Sequence, residues 1–176
     1  MAVTSSSTAA GDVATSRGKE LVEKYVAAWN AHDGEQVLSL LTDDVIYDDA
    51  SWPTQMRGRA EVRAFLEATW RAVPDLSFEL DETVLDPSGI RSAWYWRGTG
   101  SNTGRWDPPG LDPTGRRVQF HGAEFAEQRD GKFCRVRVVY DVTELLRQAG
   151  VLPKRGSTAE RLMMHGANLL GRLRRL

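Results

Sequence analysis

Asp141 is a carboxylate at the junction of two patterns, because it ends a strand-like run and precedes a short helical one. Glu144 follows three residues later, and this spacing is typical of a capping box, in which the side chains bond the free amides of a helix. From the residues alone we favour a helix cap for Asp141. Acid/base chemistry is the alternative, because apolar burial raises a carboxyl pKa from about 3.9 toward the range that suits removal of a proton from carbon.

His121 and Glu124 stand in a segment of alternating polarity over residues 118–124. Side chains alternate across a strand, so His121 shares one face with Gln119 while Glu124 shares the other with Phe120. If its face lines a cavity, His121 can carry a second proton or donate a hydrogen bond to a carbonyl. A surface histidine fits the pattern equally well.

Asp49 and Arg137 are further charged candidates. Tyr47 and Asp49 share one face of an early strand, and Asp49 with Asp141 would supply one acid and one base if their surroundings separate the two pKa values. An acidic turn is the alternative for Asp49, because Ser, Trp and Pro follow at 51–53. Arg137 would pair with Asp141 or a substrate oxygen if its strand face is internal, but charged faces are usually solvated and we favour that alternative.

The six tryptophans are many for 176 residues, and they can supply the apolar surroundings that a raised carboxyl pKa requires. Trp29 and Trp70 stand on helical patterns and are typical of core. Trp94 and Trp96 share one face of a strand and either line a cavity or pack under a helix. We expect a substrate-binding set made of aromatic and polar side chains: Tyr47, Trp52, Trp94, Trp96, Trp29, Glu124 and Arg137.

The helical patterns that position these residues come first in the chain. The apolar spacing predicts a helix over residues 17–31, a short helix that carries Val37 to Leu41, and a third helix that starts after Gly58 and ends before Pro74. A last short helix is predicted over 142–149, with Gly150 as its stop.

The strand patterns follow the helices. The pattern predicts one early strand and four later ones, at 45–50, 76–85, 90–99, 117–129 and 132–141. Asp130-Gly131 predicts a two-residue hairpin turn. The segment 98–115 has five glycines and three prolines and predicts a loop that covers a cavity. Helices and strands segregated in this way predict an α+β domain with a mostly antiparallel sheet.

Composition excludes several classes of protein. The net charge of −1 gives no bias toward nucleic acid. The lone Cys134 forms no internal disulfide, so we expect a cytoplasmic protein. His32, His121 and His165 have no metal-ligand spacing, so no metal is expected, and the sequence has no dinucleotide-binding fingerprint.

The two ends of the chain differ from its middle. Residues 1–16 are rich in Ser, Thr and Ala and predict a disordered lead, and 17–153 form the domain. Residues 154–176 predict a basic amphipathic helix that carries a net charge of +5. We favour docking of this helix on its own domain or on the partner of a homodimer. Contact with an anionic membrane or a partner helix is the alternative.

Several phrases of the sequence carry a family resemblance over residues 17–153. They are Tyr25…Trp29-Asn30 with Leu40-Leu41-Thr42-Asp43-Asp44-Val45-Ile46-Tyr47; Arg57-Gly58 with Val73-Pro74-Asp75-Leu76; Gly98-Thr99…Thr103-Gly104 with Pro113-Thr114-Gly115-Arg116; and Asp130-Gly131-Lys132-Phe133 with Asp141 and Leu145-Leu146-Arg147-Gln148-Ala149-Gly150. In order and spacing they resemble the SnoaL-like polyketide cyclase and ester cyclase branch of the nuclear-transport-factor-like superfamily.

The resemblance implies both a fold and an activity. It implies a cone-shaped α+β barrel around a cavity, and it places Asp141 where these cyclases carry their acid/base aspartate, with His121 and Asp49 as further catalytic candidates. The implied enzyme is a cofactor-free cyclase of the lyase or isomerase class in secondary metabolism, which closes a ring by intramolecular aldol reaction of a small apolar carbonyl compound. Isomerase, dehydratase, epoxide hydrolase or a non-catalytic ligand-binding or dimerisation module are the alternatives.

Overall fold

A computed structural model describes residues 4–174, with side chains described from Val13 onward. Residues 1–3 of the predicted lead, and Arg175 and Leu176 of the basic segment, lie outside the described residues. Within this range the chain forms five helices and six strands, in the order α1 (Thr4–Asn30), α2 (Gly34–Ser39), β1 (Leu41–Asp49), β2 (Met56–Arg57), α3 (Gly58–Ala72), β3 (Ser77–Leu85), β4 (Arg91–Ser101), β5 (Arg117–Arg129), β6 (Lys132–Tyr140), α4 (Val142–Gln148) and α5 (Thr158–Leu173).

Helix α1 begins at Thr4 rather than at residue 17, so the described part of the predicted disordered lead is helical. A helix that has already nucleated propagates more easily than it starts, because each further residue adds one hydrogen bond. The hairpin turn between β3 and β4 also lies against this extension, since a Cβ atom added to Gly89 would stand 2.5 Å from the Ala14 carbonyl oxygen. The boundary predicted at residue 17 therefore falls inside a helix.

The six strands form one mixed sheet in the order β2-β1-β6-β5-β4-β3. Only β1 and β6 pair in parallel, and the other neighbouring strands are antiparallel. The predicted α+β class is confirmed, but β2 and β3 are the two edges of an open sheet rather than neighbours in a closed barrel. The β5–β6 hairpin turns at Asp130 and Gly131, whose φ angles of 54° and 73° are those that such a turn needs.

One face of the sheet packs on α1 and α3 and the other is exposed. The inward-facing side chains of β4, β5 and β6 include Trp94, Trp96, Ala126 and Val136, which join the helices in one hydrophobic core. On the opposite face apolar side chains such as those of Tyr95, Phe125 and Val139 are exposed. The inner face is therefore where a water-excluding site can form.

No helix between residues 4 and 174 is long and apolar enough to cross a membrane.

Candidate active site

A cavity opens between the inner face of the sheet and the helices, and its own volume is about 60 Å³, within about 610 Å³ of atom-free space that includes open solvent at its mouth. Its apolar walls come from α1, α3, β3, β4, β5, α4 and the 102–116 loop, and they include Trp29, Phe65, Phe78, Trp96, Trp106, Phe120 and Leu145. Its polar lining consists of Tyr47, Asp49, Ser51, Thr69, Glu124 and Tyr140. Two carboxyl groups thus face one apolar space, and no Lys, Arg or His is among the lining residues.

Asp49 ends strand β1 and is only 7% exposed. Its Oδ1 atom accepts three hydrogen bonds, from the Ser51 amide at 2.8 Å, the Ser51 hydroxyl at 2.7 Å and the Tyr140 hydroxyl at 2.9 Å. Burial raises the pKa of Asp49 above its usual value, and the bonds from Ser51 and Tyr140 oppose that rise. Hydrogen bonds donated to a carboxylate favour its charged form.

Glu124 lies on β5, 8% exposed, and its surroundings differ from those of Asp49. Its Oε2 atom has no hydrogen-bond partner among the residues that the structure describes. Burial and the negative charge of Asp49 raise the pKa of Glu124 to about 8, and the indole N–H groups of Trp96 and Trp94 offset this only in part. Those indoles approach the carboxyl without ordinary hydrogen-bond geometry. The two cavity carboxyls therefore titrate in different environments.

Strand alternation explains why Glu124 points inward. Gly122 shares its face, and a Cβ atom added there would stand 2.5 Å from the Trp96 ring, so the absent side chain lets this indole cross the strand. Beneath the cavity the hydroxyls of Tyr25 and Tyr47 are 2.7 Å apart, and both tyrosines are buried. The floor of the site is thus aromatic and buried.

Of the tryptophans predicted to bind substrate, Trp29 and Trp96 line the cavity. Trp94 is buried beneath it, where its ring packs 5.9 Å from Tyr25 and 5.6 Å from Phe133, centroid to centroid. Trp52 packs edge-on against Phe65 and is outside the lining. Of the two alternatives, lining a cavity or packing under a helix, the structure shows the second for Trp94.

Asp141 does not lie in the cavity. Its side chain is 56% exposed, accepts a hydrogen bond from the Glu144 amide at 2.9 Å, and lies 3.4 Å from Nη2 of Arg155. It is the N-cap of α4, so the cap alternative describes its contacts. The physical reason is alternation, since Tyr140 points into the cavity and the next residue must point out. The expectation that Asp141 lies in an apolar pocket is therefore wrong, because its side chain is exposed at the start of α4.

His121 and Arg137 also lie outside the cavity. The His121 ring stacks on Tyr95 of the exposed sheet face, with centroids 6.0 Å apart. Arg137 pairs with Asp48 at 3.7 Å on that face. The cavity-facing alternative is therefore wrong for both, because their strand positions alternate with Phe120 and Val138, which do line the cavity. Tyr47, Asp49 and Glu124 are brought together as expected.

Several lining residues were missed by sequence reasoning. Tyr140 carried a usable signal, because it shares a strand face with the apolar Val136 and Val138 and still bears a hydroxyl. Ser51 and Trp106 lie in irregular segments, where periodicity gives no direction. Within residues 4–174 no group of three or more His, Cys, Asp or Glu side chains could hold a metal ion. The expectation of a cofactor-free site stays a prediction.

Comparison with known proteins bears on this site. A family model described as SnoaL-like polyketide cyclase matches residues 19–149. No protein in a search of curated sequences matches the chain.

Solved structures share the fold at moderate identity. A provisionally assigned hydroxylase from Streptomyces galilaeus is 27% identical with a TM-score of 0.68, covering 79% of this chain and 99% of its own. A provisionally assigned polyketide cyclase from Pseudomonas putida is 27% identical with a TM-score of 0.66, covering 74% and 96%. A protein of ketosteroid isomerase-like fold from Catenulispora acidiphila, at 17% identity and a TM-score of 0.64, covers 74% and 92% and supports the fold alone. Because the family model matches more than half of the chain, the protein belongs to the SnoaL-like polyketide cyclase family.

Proposed function

We propose that the protein is a cofactor-free acid/base enzyme that closes a ring in a small apolar carbonyl compound by intramolecular aldol reaction. The observation that carries the proposal is the pair of carboxyls in one apolar cavity, of which Asp49 accepts three hydrogen bonds while the Oε2 atom of Glu124 accepts none from the described residues. Two titratable groups whose surroundings separate their pKa values are suited to opposite roles. Family membership supports a cyclase-like role.

Asp49 is the base in this proposal. Its carboxylate takes a proton from the carbon next to a substrate carbonyl, and the C–H electron pair becomes the enolate. The enolate carbon forms a bond with a second carbonyl carbon of the same molecule, whose oxygen becomes an alkoxide. The alkoxide then takes the proton that Asp49 holds, so the product is an isomer of the substrate and the enzyme is unchanged.

Glu124 is the hydrogen-bond donor of the same reaction. With its pKa near 8 it carries a proton at neutral pH and can donate to the carbonyl oxygen on which negative charge develops. A donor fixed in a dry site stabilises such charge more than water does. Tyr140 and Ser51 hold Asp49 in position, and the aromatic walls fold the substrate and exclude water.

The test is exchange of α-protons for deuterium in β-tetralone, followed by NMR in D2O, since proton removal is the first step of the aldol route. Asp49→Asn is expected to lower the exchange rate by a factor on the order of 10² or more. The matched control is Asp48→Asn, which removes a carboxyl from the same strand on the exposed face. Equal exchange by Asp49→Asn and wild type, or no exchange by wild type, would contradict the proposal and leave a binding module.

The pH profile tests the role of Glu124. Ionisation of Glu124 removes the donor, so we expect the exchange rate of the wild type to fall as the pH rises through about 8. Glu124→Gln retains an N–H donor at all pH values and is expected to lose this fall. If the exchange rate of Glu124→Gln still falls above about pH 8, a group other than Glu124 causes the fall. The cytoplasmic location, the homodimer and a place in secondary metabolism stay predictions.

A further inference from the structure

Helix α5 exposes its apolar side chains to solvent. Leu162, Leu169 and Leu173 are 67%, 60% and 58% exposed, and none of the described residues of α5 is buried. Positions 162, 169 and 173 are seven and four residues apart, so the three leucines form one stripe along the helix. The predicted docking of this segment on its own domain is therefore not what the structure has. A stripe of this kind needs another partner.

The helix is attached to the domain at its first turn. The Ser157 hydroxyl accepts a hydrogen bond from the Glu160 amide at 3.1 Å. The Glu160 carboxylate pairs with Arg147 of α4 at 3.3 Å and accepts a hydrogen bond from the Gly156 amide at 2.6 Å. These contacts fix where α5 starts and leave the stripe that follows exposed.

The charges beside the stripe are positive. Arg161 and Arg172 are exposed on one side of the leucine stripe, with the uncharged position 165 between them, and Arg174 is exposed at the end of the helix. The single carboxylate of α5, Glu160, is already engaged with Arg147. The surface that α5 presents is thus apolar along its centre and cationic along its edge.

We propose that α5 binds the surface of an anionic lipid bilayer, with its leucines among the acyl chains and its arginines at the headgroups. Basic amphipathic helices that lie in the interface bind by this combination of apolar area and attraction to anionic lipid. This function is independent of the reaction proposed for the cavity.

A second copy of the chain fits α5 less well. A helix of 16 residues is roughly 24 Å long, and a stripe roughly 10 Å wide covers about 240 Å², well below the approximately 800 Å² per partner of a stable interface. Two cationic helices would also repel one another. An acidic protein would satisfy the arginines but gives no reason for the apolar stripe.

The experiment is co-sedimentation of the full chain with vesicles of phosphatidylcholine alone or mixed with phosphatidylglycerol. We expect binding to the anionic vesicles only, weakened by added salt. Arg161→Gln is expected to weaken binding roughly fivefold. The double variant Arg161→Gln and Arg172→Gln is expected to weaken it roughly 25-fold, because the two effects multiply. The triple variant Leu162→Ser, Leu169→Ser and Leu173→Ser is expected to abolish it.

Matched controls lie on the exposed sheet face, where Phe125→Ser removes an exposed apolar side chain and Arg135→Gln an exposed charge. Both controls are expected to bind as wild type does, and circular dichroism checks that every variant is folded. Wild type that stays in the supernatant, or binding that the leucine variant retains, overturns the proposal. Light scattering that finds a dimer in wild type and a monomer in the leucine variant, without vesicles, also overturns it in favour of a second copy.

Discussion

Replacement of Glu124 by Gln changes how stability depends on pH, because the side chain keeps its shape and loses its proton equilibrium. Burial and the charge of Asp49 raise the pKa of Glu124 from 4.5 to about 8 in the fold. Below pH 4.5 the carboxyl is protonated in both the folded and the unfolded chain. Between these two values the unfolded chain gives up the proton and the folded chain keeps it. Stability contributed by this group is therefore full below 4.5 and is lost as the pH rises to about 8.

The magnitude follows from the shift in pKa. The free energy of unfolding falls by about 1.4 kcal/mol per pH unit while the folded state binds one more proton than the unfolded state. Over the whole interval the wild type loses about 5 kcal/mol relative to Glu124→Gln. This is a large part of the stability of an ordinary domain, which is about 5–15 kcal/mol.

The assay is urea unfolding of both proteins from about pH 5 to about pH 9, and the quantity compared is the difference between their free energies of unfolding. Titration of the groups that do not interact with Glu124 cancels in this difference. Glu127→Gln is the matched control, because Glu127 stands on the same strand with a partly exposed carboxylate paired to Arg91. A difference for Glu124→Gln that stays constant across the range would show that Glu124 is ionised in the fold, and the reasoning that makes it a proton donor would be refuted.

Three further changes test the scaffold and the placement of the candidates. Asn102→Ala removes a buried amide that donates to the Ala72 and Gly104 carbonyls and accepts from Thr114, so we expect a loss of about 2–4 kcal/mol in urea unfolding, and a loss below 1 kcal/mol would contradict this. Tyr25→Phe leaves the buried Tyr47 hydroxyl unpaired, so we expect the free energy of unfolding to fall by about 1–3 kcal/mol. The double variant Tyr25→Phe and Tyr47→Phe should lose little more than the single variant. Losses that add up in the double variant would argue against a hydrogen bond between the two hydroxyls. Asp141→Asn keeps a capping side chain and should retain both stability and deuterium exchange, whereas loss of exchange in a folded variant would return Asp141 to the reaction.

The elements of the fold could be predicted largely from local signals. Strand β5 runs over the predicted residues, the Asp130-Gly131 turn is present, and α3 ends before Pro74. Each signal is local, because a positive φ, a missing amide or a two-residue period acts within a few residues. The strand predicted over 45–50 begins at Leu41 instead, and residues 42–44 lie where the pairing register of β1 with β6 shifts.

The candidate site was predicted only in part. Alternation separated Glu124 from His121 correctly, but periodicity does not tell which of two faces is the inner one when both carry polar and apolar side chains. That choice depends on where α1 and α3 pack, which is a long-range property. The missing donors at Glu124 are equally non-local, because they depend on which side chains from other strands reach its carboxyl.

Asp141 and Tyr140 together explain how a helix cap and a cavity wall can be built from two neighbouring residues. Tyr140 is the last inward-facing residue of β6, and its hydroxyl donates a hydrogen bond to Asp49. Asp141 follows it and points outward, and its carboxylate accepts a hydrogen bond from the amide of Glu144. The cap fixes the start of α4, and one turn later Leu145 returns to the cavity as part of its wall. Asp141 therefore supports the site through the position of α4, while the Asp49 carboxylate remains free of the helix and can face the substrate. Dividing the two tasks between Asp141 and Asp49 places the helix cap on the outer face and keeps the Asp49 carboxylate at the cavity.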